Sequence, residues 1–204
     1  MKFIIATHNL HKIEEFARIL TPLGIEAVPQ EAAGISVSAE EDGQSFAENA
    51  EKKARAVAKQ TNCAVIADDS GLCIDALDGA PGIYSARWFG EDTPYSQKNQ
   101  MILDKLSKTP WEQRSAQFVC AICCIFPNGE RLLSQGVCRG HIGLCSRGEG
   151  GFGYDPIFYV DGKSLAEILP QQKDRISHRG IALRDFSEKL SKYLEQRNGI
   201  NAIK

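Results

Sequence analysis

Apolar and polar residues alternate along this chain with two periods, one typical of strands and the other of helices. Residues 2–7 (KFIIAT) form an apolar run that predicts a strand, and the segment after it repeats apolar residues at helical spacing. Residues 45–60 predict an alanine-rich helix with a capping box formed by Ser45 and Glu48. Residues 64–67 (AVIA) predict the next strand. This alternation of strand and helix predicts an α/β fold.

The second half of the chain adds an antiparallel hairpin to this pattern. Residues 115–126 and 131–142 are extended stretches joined by Pro-Asn-Gly-Glu, which is typical of a tight turn. A hairpin inside a βα chain predicts a mixed sheet, elongated enough to divide the protein into two lobes around a cleft. The other predicted elements are a helix, a short strand, a short capped helix and a final amphipathic helix, at residues 93–106, 157–160, 164–169 and 179–196.

The overall composition is that of an ordinary soluble globular protein. The chain has 204 residues, 43% of them hydrophobic, and a formal net charge of -2. Because it has no basic excess, we do not expect a nucleic acid polymer as its partner. The apolar run at residues 2–6 is too short for a membrane span or a signal peptide. We therefore expect no membrane association and a cytoplasmic location.

The cysteines and histidines do not follow a metal-binding pattern. Seven cysteines, an odd number, fit a reducing compartment better than a disulfide framework. Cys120 and Cys123 have CxxC spacing, but they lie in an apolar stretch without a second pair, so we expect a core strand there. The four histidines also lack the spacing of zinc ligands, and a zinc enzyme is not indicated.

The first predicted strand-to-helix junction carries polar residues suited to phosphate. A helix N-terminus offers unpaired backbone N–H groups and a partial positive charge. Thr7 and Asn9 would add hydrogen bonds from their side chains, and Lys12 would add a point charge. The alternative is a simple helix cap with a solvated lysine. A Walker A loop is absent, because the sequence lacks GxxxxGK[ST] at this junction.

Two adjacent carboxylates follow the apolar run at residues 64–67. Ligand sites in α/β sheets lie at the carboxyl ends of strands, where this run reaches Asp68, Asp69 and Ser70. Carboxylates beside phosphates require a hard cation between them, and Mg²⁺ is the usual one. Because neighbouring strand residues point to opposite faces, only one of the two aspartates is expected in the site. The alternative is a turn rich in Asp and Ser.

Three further polar segments are candidates for the same site. The acidic residues 40–42 would supply a second metal ligand or form a solvated loop. Residues 148–155 (GEGGFGYD) have the glycine spacing of a dinucleotide fingerprint, but Tyr-Asp-Pro stands where its helix would begin. This loop suits close approach to a planar base. Residues 173–179 (KDRISHR) form either a surface charge cluster or a set of donors that favours an oxo group over an amino group on a base.

Five segments in this order closely resemble the inosine triphosphate pyrophosphatase family: THNLHK, SAEEDGQSFAENA, IADDSGLCIDALDGAPGIYSARW, GGFGYDPIF and ISHRGIAL. The resemblance runs from residue 3 to about residue 190. It implies one domain over residues 1–204, with an elongated mixed sheet, helices on both sides and two lobes around a central active-site cleft. It also implies a homodimer that depends on Mg²⁺ and splits purine nucleoside triphosphates (ITP, dITP and XTP) into monophosphate and pyrophosphate, which cleanses the nucleotide pool.

The resemblance also assigns roles by position. Asp69 is implied as the proton acceptor for the attacking water, and Glu40 and Asp69 as metal ligands. The implied substrate-binding residues are Thr7, His8, Asn9, Leu10, His11, Lys12, Ser70, Phe152, Gly153, Tyr154, Asp155, Lys173, His178 and Arg179.

Two histidines depart from the family pattern. The family commonly has glycine where this chain has His8, and often glycine or another small residue where it has His11. Glycine allows close approach of the backbone to phosphate. We expect His8 either to point outward, which leaves the backbone N–H groups available, or to donate a hydrogen bond when protonated.

Two other functions remain open from the sequence. One is a related pyrophosphatase that acts on other modified or pyrimidine triphosphates. The other is a nucleotide-binding sensor without turnover, which the combination of Lys12, Glu40 and Asp69 disfavours. A purely structural interaction module would explain the apolar pattern but not the five polar motifs. The sequence does not explain how GTP, which shares the 6-oxo group, is excluded.

Overall fold

The structure is a computed structural model that describes the backbone of residues 1–201 and the side chains of residues 1–197. Its strands are β1 (Lys2–Ile5), β2 (Glu26–Pro29), β3 (Ala64–Ile74), β4 (Ser115–Ile125), β5 (Arg131–Ile142), β6 (Phe158–Val160) and β7 (Lys163–Ser164). Its α-helices are α1 (Leu10–Leu20), α2 (Phe46–Ala58), α3 (Tyr95–Lys105), α4 (Pro170–Ile176) and α5 (His178–Asn201).

The strands form one mixed sheet in the order β2-β1-β3-β4-β5-β6-β7. The first three strands are parallel, and every later pair is antiparallel. The predicted hairpin is confirmed as β4 and β5, which pair along their whole length. The mixed sheet with flanking helices confirms the predicted fold class. The division of residues 1–204 into two lobes stays a prediction.

The strand predicted at residues 64–67 does not end before the two aspartates. β3 continues through Asp68 and Asp69 to Ile74, because β4 supplies a hydrogen-bonding partner along this length. Its parallel neighbour β1 ends at Ile5, opposite Ile66, so beyond this point the sheet opens on one side of β3. The expectation that the carboxylates follow the end of their own strand is therefore wrong. They lie beside the end of β1.

The predicted capping box at α2 is formed differently from the expected one. The Ser45 hydroxyl accepts a hydrogen bond from the Glu48 backbone N–H at 3.2 Å, as predicted. The Glu48 carboxylate, however, accepts from the backbone N–H of Gln44 rather than from that of Ser45. Both bonds satisfy backbone donors at the start of the helix. The short capped helix predicted at residues 164–169 is a 3₁₀ turn, Leu165–Glu167.

Apolar residues are buried on both faces of the parallel part of the sheet. On one face, α1 and α5 contribute Phe16 and Phe186 to a cluster with Phe3. On the other face, α2 contributes Ala50 and Ala54. The helices therefore cover the sheet from both sides. Among the described residues, none of the helices is long and apolar enough to cross a membrane.

The CxxC pair lies in the core, as predicted. Cys120 and Cys123 are both buried free thiols on β4. Cys120 belongs to the cluster under α1 and α5, whereas Cys123 belongs to the cluster under α2. Their positions three apart on one strand therefore place them on opposite faces of the sheet.

Helix α5 packs very closely on β5. A Cβ atom at Gly136 would lie 2.1 Å from the carbonyl oxygen of His178 and 2.4 Å from the nitrogen of Ala182. Only glycine allows this approach of helix backbone to strand. This contact sets the position of the start of α5, where His178 and Arg179 lie.

Candidate functional site

A cavity of about 320 Å³ lies where β1 ends beside β3. Its walls come from the β1–α1 turn, residues 37–41, β3, the loop that includes Phe152 and the start of α5. The structure brings most of the predicted site residues together there: Thr7, His8, Asn9, Lys12, Asp69, Ser70, Phe152, Gly153, Tyr154, Asp155, Lys173, His178 and Arg179. Three predicted site residues do not line this cavity: Leu10, His11 and Glu40.

The β1–α1 turn has the geometry of a capped helix N-terminus. The Asn9 side chain accepts a hydrogen bond from the Lys12 backbone N–H at 3.2 Å, and the Thr7 hydroxyl accepts one from the Asn9 N–H. These bonds orient the first turn of α1 toward the cavity, with its partial positive charge. Leu10 is 69% exposed and points away from the cavity.

The His8 ring is held by residues that follow β2. Its Nδ1 lies 2.7 Å from a carboxylate oxygen of Glu31, and its Nε2 lies 3.1 Å from the side-chain nitrogen of Gln30. Both His8 and Glu31 are exposed, so the pair stands at the edge of the cavity. This arrangement holds the ring at the rim of the cavity, which His8 also lines.

Asp69, and not Asp68, is the aspartate that lines the cavity. One Asp69 carboxylate oxygen accepts a hydrogen bond from the Asn49 amide at 3.0 Å, and the other accepts from the Lys53 ammonium at 3.3 Å. Burial raises the pKa of Asp69, against the opposing charges of Lys53 and Lys12. Asp69 and not Asp68 lines the cavity because successive strand residues point to opposite faces of the sheet. Asp69 faces α2, and Asp68 faces α1 and α5.

Asp68 is a buried structural anion behind the cavity. Its Oδ2 lies 3.0 Å from the Lys12 ammonium and 2.9 Å from Nη2 of Arg179. Burial opposes ionisation, but these two cations hold the pKa of Asp68 well below its usual value. Its other oxygen, Oδ1, is buried and has no hydrogen-bond partner among the described residues. Asp68 therefore fixes the positions of two cations that line the cavity.

Glu15 joins the two ends of the site. Its carboxylate accepts a hydrogen bond from the Lys173 ammonium at 3.0 Å and another from the Arg179 guanidinium. Lys173 also donates to Asp155 at 2.7 Å. Burial tends to raise the pKa of Glu15, but Arg179 and Lys173 lower it to about 2. Acidic and basic side chains therefore alternate in one buried series of ion pairs, the buried chain of alternating charges: Asp155, Lys173, Glu15, Arg179, Asp68 and Lys12.

The acidic segment at residues 40–42 contributes Glu41 to the cavity instead of Glu40. The Glu41 carboxylate lies 2.8 Å from the Lys53 ammonium, and Arg87 donates to the Glu41 carbonyl. These two cations hold Glu41 inward, whereas Glu40 is exposed. Lys53 lies between Glu41 and Asp69, and its ammonium group contacts the carboxylates of both residues.

The opposite end of the cavity is aromatic. The Tyr154 hydroxyl donates to the Ser85 carbonyl at 2.8 Å, and the Tyr95 ring meets Tyr154 edge-on. His178 stacks on Phe118 with ring centroids 4.7 Å apart. Burial lowers the pKa of His178 well below its usual value, so the ring is neutral at pH 7. Its Nδ1 is buried and has no hydrogen-bond partner among the described residues.

A family model describes most of this chain. The Ham1 family model matches residues 3–189. The chain belongs to the Ham1 family. The membership confirms the resemblance inferred from the five sequence motifs.

Named relatives and solved structures agree with this family. The dITP/XTP pyrophosphatase of Exiguobacterium sibiricum is 43% identical over 196 residues, which cover 95% of this chain and 99% of the relative. That of Bacillus cereus is 42% identical, with coverage of 93% and 95%. The Staphylococcus aureus Ham1 structure has a TM-score of 0.83 at 40% identity and covers 95% of this chain and 100% of its own. A Coxiella burnetii HAM1 structure has a TM-score of 0.84 at 40% identity, with coverage of 94% and 99%.

Several residues in the site of this Ham1 chain were missed by the sequence analysis. Asn49 and Lys53 lie one turn apart on α2, and a polar Asn inside an alanine-rich helix is the signal that would have indicated them. Glu15 carried no such signal, because nothing in the helical period separates it from the exposed Glu14. Glu41 was seen only as part of an acidic run. Packing against distant segments selects each of these residues.

Proposed function

We propose that this chain hydrolyses the non-canonical purine nucleoside triphosphates ITP, dITP and XTP to the monophosphate and pyrophosphate. One observation carries the proposal: a single cavity joins a cationic, helix-capped end at Lys12 and Lys53 to an aromatic, donor-rich end at Phe152 and Lys173. The first end suits phosphates and the second suits an oxo-purine. The dITP/XTP pyrophosphatase names of relatives at 42–43% identity over most of the chain support the same substrate class.

Asp69 is the proposed proton acceptor. Water attacks the α-phosphorus, the bond from this phosphorus to the bridging oxygen breaks, and pyrophosphate leaves. Asp69 orients the water and takes its proton. Asn49 and Lys53 hold both carboxylate oxygens of Asp69 in place, so the base is oriented before substrate arrives. Lys12 and the N-terminus of α1 stabilise the negative charge that develops on the phosphates.

Mg²⁺ is the proposed cofactor, and the donor set fits it. Glu41 and Asp69 both present carboxylate oxygens at the cationic end of the cavity, and Lys53 contacts both of them, at 2.8 and 3.3 Å. Magnesium is commonly held by one or two carboxylates together with substrate phosphates. The described residues contain no group of three or more His, Cys, Asp or Glu arranged for a metal. When bound, the ion neutralises charge on the phosphates.

Selection of the base follows from the donors at the aromatic end. Lys173 and Arg179 carry only donors, which pair with a 6-oxo group but not with the amino group of adenine. Each buried donor left unpaired by adenine costs about 1–3 kcal/mol. The neutral His178 ring lines the same cavity.

The first test measures pyrophosphate release from ITP, dITP, XTP, GTP, ATP and CTP, with Mg²⁺ and with a chelator. We expect Mg²⁺-dependent release from the first three alone. Turnover of CTP would favour a pyrophosphatase for other nucleotides. Binding of ITP without turnover would favour the sensor.

One single variant and one matched pair of variants test the assigned roles. Asp69→Asn is expected to abolish most turnover while its circular dichroism spectrum stays that of the wild type, and near-normal activity would exclude Asp69 as the base. Glu41→Gln is expected to raise the Mg²⁺ concentration needed for half-maximal activity. The neighbouring Glu40→Gln, at an exposed position, serves as the matched control.

We also propose, from the family resemblance, that the chain acts as a homodimer in the cytoplasm. Light scattering coupled to size-exclusion chromatography tests the dimer. A mass of one chain, about 22.4 kDa, would contradict it.

A further inference from the structure

Phe152 lies on a loop whose own backbone does not fix the direction of its ring. The glycines on either side, Gly151 and Gly153, both have positive φ, at 69° and 67°. Glycine adopts this conformation freely and places few limits on its neighbours. The Phe152 N–H donates to the Asp155 carboxylate at 2.8 Å, which holds the backbone of the loop but not the ring. The ring must be held by side-chain contacts.

His11 supplies one of these contacts. Its ring is stacked on the Phe152 ring, with centroids 5.1 Å apart and planes 9° apart. His11 is exposed and Phe152 is half-buried, so the imidazole covers the phenyl ring from the solvent side. Stacked aromatic pairs of this geometry are favourable beyond the area that they bury.

The cavities on the two sides of the Phe152 ring show which side His11 occupies. Phe152 lines the site cavity of about 320 Å³, which is the larger of the two and is called the large cavity below, and also a smaller cleft of about 110 Å³. His11 lines only the smaller cleft. The Phe152 ring therefore stands between His11 and the large cavity. His11 supports the ring from behind. The Lys173 ammonium, which lines both cavities, lies 4.7 Å from the centroid of the Phe152 ring and also contacts it.

The contact also links two distant parts of the chain. His11 lies in the first turn of α1, next to Lys12 at the phosphate end, and Phe152 lies at the aromatic end. The alternating charges that run through Glu15 cross the site on the buried side. The His11–Phe152 stack crosses it on the solvent side.

We propose that His11 is a positioning residue for base recognition. It fixes the Phe152 ring as a flat wall for the purine and contacts neither the substrate nor the reacting atoms. This inference rests on the proposed function in one respect, that the base lies at the aromatic end of the cavity. It revises the role implied by the family resemblance, in which His11 binds the triphosphate.

The test compares the wild type with His11→Ala and His11→Phe. His11→Ala is expected to raise KM for ITP between about two- and twelvefold, as loss of one stacked pair predicts, and to leave kcat within about twofold. His11→Phe restores the stack and is expected to restore KM. Inorganic tripolyphosphate, which lacks a base, is expected to inhibit the wild type and His11→Ala with the same inhibition constant.

His141→Ala is the matched control, because His141 stacks on Trp111 at 5.2 Å and 15° and lines neither the large cavity nor the small cleft. It is expected to leave KM and kcat unchanged. The proposal is overturned if His11→Ala leaves KM for ITP unchanged, if His11→Phe fails to restore it, or if tripolyphosphate inhibition weakens in His11→Ala. The last result would place His11 at the phosphate end.

A binding measurement separates this proposal from the proposed function. The dissociation constant of inosine 5′-monophosphate, measured by calorimetry, needs no turnover. A wild type without pyrophosphatase activity, but with monophosphate binding that His11→Ala weakens and His11→Phe restores, would refute the reaction and support the role of His11. A wild type that releases pyrophosphate from ITP, but whose monophosphate binding His11→Ala leaves unchanged, would overturn the role of His11 and not the reaction.

Discussion

Replacing Glu15 by Gln tests whether the buried chain of alternating charges holds the site together. Glu15 is the anion that Lys173 and Arg179 share, and the side chains of all three are at most 6% exposed. Glutamine has nearly the same shape but no charge, and its amide presents N–H donors to groups that are themselves donors. The substitution therefore leaves two buried cations short of one anion.

The expected loss of stability follows from this burial. Removing one partner of a buried ion pair costs about 3–5 kcal/mol. For a protein of this size each kcal/mol lowers Tm by about 2–4 °C, which gives a fall of roughly 6–20 °C. The measurement is thermal unfolding at pH 7, followed by circular dichroism. Glu14→Gln, the exposed neighbour on the same helix, is the control and is expected to change Tm by less than about 2 °C.

The pH dependence provides a second check. The pKa of Glu15 is about 2 in the folded protein, below its ordinary value of 4.5. A lowered folded-state pKa gives stability that is complete above the ordinary value and is lost as the pH falls toward 2. The difference in stability between wild type and Glu15→Gln should therefore shrink by roughly 1 kcal/mol from pH 7 to pH 4. Equal Tm values for Glu15→Gln and Glu14→Gln at pH 7 would refute the reasoning.

Three further predictions concern packing, catalysis and thiol reactivity. Gly136→Ala is expected to lower the free energy of unfolding in urea by about 3 kcal/mol or more, because its Cβ would meet the backbone of α5. Gly129→Ala, in the open hairpin turn, is the control and should cost about 1 kcal/mol. Lys53→Met is expected to lower kcat at least about tenfold, because it removes the cation between the carboxylates of Glu41 and Asp69. Lys52→Met, on the surface, is the control and should leave kcat unchanged. Equal kcat values for the two variants would exclude a role of Lys53 in catalysis. The exposed Cys145 thiol should react with Ellman's reagent in the native protein. Burial raises the pKa of the four buried thiols, which should therefore react only after unfolding: Cys120, Cys123, Cys124 and Cys138. Reaction of these four in the native protein would contradict their burial.

Strongly periodic segments were predicted correctly, and short ones were missed. α1, α2 and the β4–β5 hairpin each carry a period or a turn sequence long enough to indicate the element without its neighbours. β2 has only four residues, and α4 is a polar segment of seven. Elements this short exist because of their partners: β2 pairs with β1, and Arg18 of α1 binds Asp174 of α4. Their sequences alone carry too little pattern.

In the candidate site, too, some features could be predicted from the sequence and others could not. Motifs located its chemistry, since carboxylates, Lys12 and the loop with Phe152 stand in the sequence in a recognisable order. Periodicity did not choose between adjacent residues: the family resemblance alone named Asp69, and it named Glu40 where the structure has Glu41. Strand pairing directs Asp69 into the cavity, and Lys53 holds Glu41 inward. Each of these choices depends on a partner far along the chain.

The sequence by itself determined the fold class, the family and the kinds of side chain at the site, because periodicity and motif order are local properties of the chain. The tertiary structure alone decided where β3 ends, that Glu41 rather than Glu40 faces the cavity, and that Glu15 and His11 connect its two ends. These features depend on burial and on pairing between segments up to 164 residues apart. Because charge compensation and ring stacking need partners in space, they can be read only once the chain is folded.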